Sequence, residues 1–291
     1  MSKTAPSRDA VAEARIDVHT GATTYVVGSR QDRPNLPPTT CPFCPGGLEA
    51  PEPYDVRWFV NRWPAMADDR CEVVLYTPDH DATFWSLGIQ RARKVVDLWA
   101  ERTHELGARP DIAYVLVFEN RGAEVGATIS HPHGQIYAFD FVPELPLREL
   151  ARGTVFDDPG DRLVATAPAW RAWVPEAPIF PYALRLVPDE HIPDLPSLDD
   201  DGRDGLALVL VDVLERLDLL FETQTPYMLW IHQRPFDGHE WENARLHVEI
   251  VTPWRAADVT RYVAAGELGS GVFFNPVPPE EAAQALREVG R

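Results

Sequence analysis

Hydrophobic positions along this chain follow two periods, and the period assigns the elements. Leu87, Val95, Val96, Trp99 and Leu106 fall close to a helical stripe, which predicts a helix over Ser86–Leu106 with Gly107 as its stop. Leu206, Val209, Leu210, Val213, Leu214, Leu217 and Phe221 trace a second amphipathic helix. Short runs rich in Val, Ile, Tyr, Phe and Trp predict strands at Tyr54–Val60, Glu72–Tyr76, Ile112–Phe118, Gln135–Phe141, Tyr227–Ile231 and Leu246–Val251. Asn120–Ser130 reads as a Gly-punctuated loop, and Pro279–Val289 as a short helix opened by its proline. Helix, strand, loop, strand thus occurs twice, each time with a histidine entering the final strand, which points to a duplicated α+β unit. The Pro-rich stretch Arg33–Pro45 reads as loop, Ala167–Pro196 as the connection between halves, and residues 1–15 as a loose tail. The expected division is a lead-in at 1–27, one half at 28–165 and a second at 166–291.

Composition narrows the function classes. The 291 residues are 45% hydrophobic and 25% charged, as a globular protein requires and a disordered or fibrous chain does not show. Acidic residues outnumber basic ones 45 to 27, a net charge of −18 that repels a phosphate backbone, so nucleic acid is not an expected partner. An anionic small molecule can still bind where a few arginines and backbone N–H groups focus positive potential. The longest apolar stretch, Gly205–Phe221, is broken by Asp212, Glu215, Arg216 and Asp218, so no membrane span is expected. Met1–Ile16 lacks the apolar core of a signal peptide, and the 3 cysteines are too few for a disulfide framework. A cytoplasmic protein is the expectation.

The sharpest chemical signal is Ser130-His131-Pro132-His133-Gly134-Gln135. His131 and His133 share a face in an extended strand, Pro132 suits the start of a strand, and Gly134 is expected to let a ligand approach the backbone. A surface loop enriched in histidine by chance is the bland alternative. Cys41-Pro42-Phe43-Cys44 supplies half of a tetrahedral zinc site, to be weighed against a redox pair or two unrelated thiols, and His80 and His131 are available to complete it. Cys71 lies in a strand pattern and reads as an inert core thiol. Phe118-Glu119-Asn120-Arg121-Gly122 ends a strand and opens a loop able to present N–H groups to a phosphate, although such hairpin loops are common.

In order along the chain, these motifs resemble the galactose-1-phosphate uridylyltransferases of the histidine-triad superfamily. The resemblance runs from about Gly28 to Arg287. It is carried by Cys41-Pro-Phe-Cys44, Asn61-Arg-Trp-Pro-Ala65, Pro78-Asp-His80, Phe118-Glu-Asn120-Arg-Gly122, His131-Pro-His133-Gly-Gln135, Pro226-Tyr227 through His232, and Leu246-His247-Val-Glu249. It implies an α+β fold of two histidine-triad-like units, antiparallel half-barrel sheets with helices packed on them, assembled as a homodimer. It also implies a transferase of galactose metabolism that exchanges sugar 1-phosphates on a nucleoside diphosphate sugar, UDP-glucose with galactose 1-phosphate, through a covalent nucleotidyl-His133 intermediate. Neutral imidazole is a good nucleophile near pH 7, and the phosphoramidate formed is labile enough to turn over. By the same resemblance Gln135 donates to the phosphate, and Gly126 and Thr128 lie in the phosphate loop. Arg30 and Arg33 approach the nucleotide or its phosphates, and Phe59, Asn61 and Asn120 sit at the nucleoside. Cys41, Cys44, His80 and His131 match a structural zinc site, and Glu149, His232, His247 and Glu249 a second site for Zn²⁺ or Fe²⁺, with Glu249 where a histidine is usual.

Departures from the family pattern fall on the sugar and the base. Glu267 is retained in the hexose-recognising segment, but Arg261 replaces a lysine, Gly266 an aromatic residue, and Leu268–Pro276 diverges. Arg62 replaces an acidic residue beside the nucleoside and cannot accept from ribose hydroxyls. Inorganic phosphate as acceptor, in an ADP- or UDP-sugar phosphorylase, and hydrolysis of the same adduct are the neighbouring readings. A zinc-stabilised nucleotide-binding protein without chemistry is the reading from another class.

Overall fold

The computed structural model describes residues 12–28 and 40–290. Strands β1 (Glu13–Ile16) and β2 (Thr23–Val26) form a small antiparallel hairpin, so the segment expected as tail is partly a strand. The body of the protein is one antiparallel sheet. Its strands are β3 (Arg57–Val60), β4 (Cys71–Leu75), β5 (Tyr114–Arg121), β6 (His133–Phe139), β7 (Leu163–Ala167), β8 (Trp170–Trp173), β9 (Leu184–Pro188), β10 (Tyr227–His232) and β11 (His247–Val251). They lie in the order β3-β4-β6-β5-β10-β11-β9-β8-β7. A short hairpin, β12 (Trp254–Ala256) and β13 (Val259–Thr260), follows. The helices are α1 (Gly88–Gly107), α2 (Glu144–Ala151), α3 (Asp200–Phe221), α4 (Ala265–Ser270) and α5 (Pro279–Val289).

The order β-β-α-β-β occurs twice, as β3-β4-α1-β5-β6 and β8-β9-α3-β10-β11, and each copy lays its strands outward from the β5–β10 pair in the same sequence. The two copies therefore share a continuous sheet. Helices α1, α3 and α5 bury their apolar stripes against one sheet face, where Ala92, Val95, Val96 and Trp99 meet Val117 and Ile136, and Leu206, Val209, Val213 and Leu217 meet Leu229 and Ile250 in one core. Helix α3 starts earlier than its apolar stripe because the Asp199 carboxylate caps it, accepting from Gly202 N at 2.8 Å, with Asp200 and Asp201 in the first turn favoured by the helix dipole.

The opposite face carries the polar chemistry. Along β6, Gly134, Ile136 and Ala138 are buried toward the helices while His133, Gln135, Tyr137 and Phe139 alternate onto the other side. Strands β8 and β9 lie inside Ala167–Pro196, which the prolines had marked as a connection; Pro168, Pro175, Pro178 and Pro181 fall in the turns, and Pro188 at a strand end. Helix α2 also goes unannounced by its mixed polarity, although it delivers Glu149.

Candidate active site and metal clusters

The Cys41–Cys44 turn is a tight knuckle. Gly47 N donates to Cys44 O at 2.8 Å and Glu49 N to Pro42 O at 2.9 Å, and a methyl at Gly47 would lie 2.6–2.8 Å from three carbonyl oxygens, so glycine is required there. The turn folds Phe43 and Ala50 onto Val73 and Leu75 and covers the site face of β4. It also brings Cys41 and Cys44 to His80 and His131, with ligand atoms of all four within 4.8 Å of one another.

The donor geometry fits a tetrahedral metal. Cys44 Sγ lies 3.5 Å from His80 Nδ1 and 3.6 Å from His131 Nδ1. Tetrahedral Zn²⁺ with sulfur and imidazole ligands separates such donors by about 3.6 Å. His131 Nε2 donates to Thr77 O at 2.7 Å, with the Tyr54 hydroxyl 3.0 Å away, and His80 Nε2 lies 3.3 Å from Ser130 Oγ. The His131 bond keeps its Nε2 protonated and turns the lone pair of Nδ1 toward the thiols, the arrangement metal-binding histidines adopt. Burial lowers the His131 pKa, favouring the neutral ring a metal needs. Burial and the neighbouring Cys41 raise that of the Cys44 thiol. The Tyr54 hydroxyl, 2.7 Å from Phe43 O and 2.8 Å from Thr77 O, ties the cysteine turn to the segment before His80. No sequence signal marked Tyr54.

His133 stands two residues further, at the head of β6. Its Nδ1 donates to the carbonyl oxygen of His131 at 2.8 Å, so the neutral ring carries its lone pair on Nε2. The Phe43 ring meets it edge-on at 5.0 Å between centroids, and Phe59 stands 5.8 Å from Phe43. Gln135 pairs with Phe118 across β5 and with Val73 across β4, and its side-chain oxygen accepts from Asn61 Nδ2 at 3.4 Å. Asn120 lies two residues past Phe118 on β5. Gly126 follows β5 with φ of 85°, and the stretch from Gly122 to Thr128 lies between Asn120 and His133 along the chain. A cavity of about 30 Å³ at this end of the sheet is lined by Asn120, Arg121, Ser130, His131 and His133 among others. Arg30 and Arg33 lie outside the described residues.

Gly134 has a different role from the one its motif implied. A methyl there would overlap the Tyr76 hydroxyl on the helix-packed face, so the glycine makes room for a core side chain and not for a ligand.

The second cluster sits at the matching end of the other copy. His232 and His247 pair across β10 and β11, and α2 brings Glu149 to both, 2.8 Å from His232 Nδ1 and 3.5 Å from His247 Nε2. Burial works against the Glu149 carboxylate, yet the hydrogen bond from His232 and the nearby His247 ring outweigh it and hold its pKa down to about 2. Two imidazoles and a carboxylate suit Zn²⁺ or Fe²⁺. Glu249, expected as a fourth ligand, is not among the clustered donors; its carboxylate accepts from Arg185 Nε at 2.5 Å. Arg185 gave no warning in the sequence, because the pairing arises from the β9–β11 register.

Arg261 and Glu267, expected at the hexose, are buried and pair with each other. Glu267 also accepts from the backbone N–H groups of Ala264 and Phe274, each at 3.0 Å, so both side chains organise the segment around α4.

A four-plus-four repeat of antiparallel strands, with a histidine heading the fourth strand of each copy, is the architecture of a nucleotidyl-transfer fold, and the comparisons agree. The model for the N-terminal domain of galactose-1-phosphate uridyl transferase matches residues 61–143, and that for the C-terminal domain matches residues 129–290. The galactose-1-phosphate uridylyltransferase of Thermotoga maritima is 35% identical over 95% of this chain and 98% of its own length. That of Streptomyces lividans is 40% identical over 89% of this chain and 82% of its own. A solved uridylyltransferase structure superposes with a TM-score of 0.86 at 28% identity, covering 95% of this chain and 98% of that one. An ADP-glucose phosphorylase from Arabidopsis thaliana shares the fold at a TM-score of 0.75 and 22% identity, covering 95% and 99%. The chain belongs to the galactose-1-phosphate uridylyltransferase family.

Proposed function

We propose that this chain transfers a uridylyl group between UDP-glucose and galactose 1-phosphate through a covalent intermediate on His133. The observation that carries this reading is the bond from His133 Nδ1 to His131 O, which fixes the tautomer a phosphorus nucleophile needs. In the first half-reaction the Nε2 lone pair attacks the α-phosphorus. A P–N bond forms, the P–O bond to the β-phosphate breaks, and glucose 1-phosphate departs with the electron pair. In the second, a phosphate oxygen of galactose 1-phosphate attacks the same phosphorus, the P–N bond breaks and the electron pair returns to Nε2. Gln135, neutral and two residues past the nucleophile on β6, donates to the equatorial oxygens, with Gly126 and Thr128 in the loop at the phosphate. Phe59, Asn61 and Asn120 take the nucleoside, and Arg30 and Arg33 the phosphates.

Cys41, Cys44, His80 and His131 hold Zn²⁺, which when bound cross-links the cysteine turn to the strand carrying the nucleophile. His131 then acts twice: its ring is held in the cluster and its carbonyl orients His133. Glu149, His232 and His247 hold a second ion, Zn²⁺ or Fe²⁺. The three cysteines are free thiols, which suits a cytoplasmic setting, and no described helix is long and apolar enough to cross a membrane. Exposed Tyr262, Leu268, Val272 and Phe274 form an apolar run that supports a homodimer.

The buried Arg261–Glu267 pair favours one second reading, with inorganic phosphate as the acceptor, because neither side chain is presented to a sugar in this chain alone. Both readings share the first half-reaction. Exposing the protein to UDP-glucose and following its intact mass should show a gain of one uridylyl group that galactose 1-phosphate clears; clearance by inorganic phosphate alone selects the second reading, and no gain removes both.

A further inference from the structure

The helix-packed face behind the nucleophile is not purely apolar. Glu119 on β5 lies one residue past the Phe118–Gln135 pair, which places it across from Gly134. Its side chain is buried, and the Tyr227 hydroxyl from β10 donates to Oε1 at 2.6 Å. Tyr76, one residue past β4, is fully buried and sends its hydroxyl against the Gly134 backbone from the other side. The ring has little freedom: Phe84 meets it edge-on at 5.5 Å and Trp99 at 5.8 Å, while Tyr76 N donates to Pro132 O at 3.3 Å. Tyr76 Oη and Glu119 Oε2 have no hydrogen-bond partner of standard geometry, and they face one another in the same pocket of the core.

Burying a carboxyl group and two phenols in a hydrophobic core is costly unless the groups satisfy one another. Apolar residues would fill the space at less cost. What the polar group adds is a hard, directional contact at one point of the backbone, and that point is the residue between His133 and Gln135.

Building on the nucleotidyl-His133 reading, we propose that Glu119, Tyr76 and Tyr227 form a buried positioning unit for the His133–Gly134–Gln135 segment. Tyr76 touches the strand and Glu119 with Tyr227 holds the hydroxyl end of the unit in place. None of the three touches substrate; they act through the backbone. The cysteine turn and the metal cluster press on β6 from the site face, and this unit presses from behind, so the strand is located from both sides.

Charge state enters because burial pushes the Glu119 pKa up to about 7, with the hydrogen bond from Tyr227, the facing Tyr76 hydroxyl and the nearby Arg121 guanidinium pulling the other way. The groups that face it are Tyr76 beyond β4, Tyr227 from β10 and Arg121 on its own strand; Arg121 is in turn paired with Asp218 from α3. The carboxyl therefore changes charge in the range where the nucleophile works.

The test uses the full-length, metal-loaded protein and the isosteric variants Glu119→Gln and Tyr76→Phe. The rate of His133 nucleotidylation by UDP-glucose is followed by quenched-flow mass spectrometry, alongside the Kd for UDP-glucose and the melting temperature. A misplaced nucleophile should slow adduct formation about tenfold or more while Kd stays within about twofold. The ratio of E119Q to wild-type rate should also change across pH 6 to 8.5, which a packing defect alone would not produce. Adduct rates within about twofold of wild type at every pH overturn the positioning unit, as does a loss accounted for entirely by Kd. Absence of adduct in the wild type instead overturns the nucleotidyl-histidine reading on which the unit rests.

Discussion

His133 and His247 occupy the same place in two copies of one framework, yet only one has a carboxylate facing its Nε2. Each heads the fourth strand of its copy and each donates Nδ1–H to the carbonyl two residues back, at 2.8 Å and 2.9 Å. Each meets a phenylalanine edge-on, Phe43 at 5.0 Å and Phe156 at 5.1 Å. The residue two further on is Gln135 in one copy, paired to Phe118 and Val73, and Glu249 in the other, paired to Trp230 and Arg185. Backbone geometry and imidazole tautomer are thus held constant while the surroundings change.

The surroundings decide the chemistry. His247 Nε2 looks at the Glu149 carboxylate, 3.5 Å away, and Glu249 adds a second negative charge nearby that Arg185 neutralises. A phosphate approaching that nitrogen would meet like charge, whereas a cation is welcomed. Around His133, Gln135 stands where Glu249 does in the other copy and Asn120 where His232 does, neutral amides able to donate to phosphate oxygens. One frame thus carries neutral amides at one end and carboxylates at the other, which on the proposed function separates a phosphate site from a cation site.

The comparison is broken most sharply at the two histidines. His133→Asn should abolish uridylyl transfer, a loss of about 10⁴-fold or more in turnover. His247→Asn should leave turnover within about tenfold and act on stability and metal content instead. Metal removal is next. Zinc content measured after chelation should fall with a drop of roughly 10 °C in melting temperature, because the four-ligand cluster joins the cysteine turn to His80 and His131. Unchanged melting after verified zinc loss would sink the structural-zinc assignment.

Glu249→Gln makes the second copy resemble the first at this position. It takes from Arg185 the carboxylate on its Nε and leaves Asp157 3.4 Å from its Nη1, and since Arg185 is a quarter exposed, about 1–2 kcal/mol of stability is expected to be lost in denaturant unfolding. Adduct formation should not change.

The smallest effect sharpens the contrast through pH. Glu119 has a folded pKa raised to about 7, so between its ordinary range and that value the folded protein holds a proton that the unfolded chain has released. Stability contributed by the neutral form is therefore full at acid pH and declines as pH rises toward 7. Glu119→Gln should remove that decline, gaining a few degrees in melting temperature at about pH 8 relative to wild type and little near pH 4.

Much of this was legible in the sequence. Helix α5 was read at its observed bounds, Pro279–Val289, because proline and an apolar stripe mark it; α1 and the four inner strands were off by a few residues at their ends. The histidine and cysteine motifs carried the proposed nucleophile and the four donors that the fold brings together, since those residue types have few packing uses in such spacing. What escaped depends on long-range register. Strands β8 and β9 hide among prolines that occupy turns. Glu119, Tyr54 and Arg185 look ordinary in one dimension and gain meaning from Tyr227, His131 and Glu249, residues 64 to 108 positions away. The purpose of Gly134 is hidden for the same reason: the side chain that demands it, Tyr76, comes from just beyond β4.

The central claim is that one of two equivalent histidines carries the nucleotidyl group. Intact-protein mass spectrometry after brief exposure to UDP-glucose, followed by peptide mapping under non-acidic conditions, tests it directly. The account predicts a gain of one uridylyl group located on the peptide containing His133, present in His247→Asn and lost in His133→Asn. An adduct on the His247 peptide, or one that survives in His133→Asn, would contradict it.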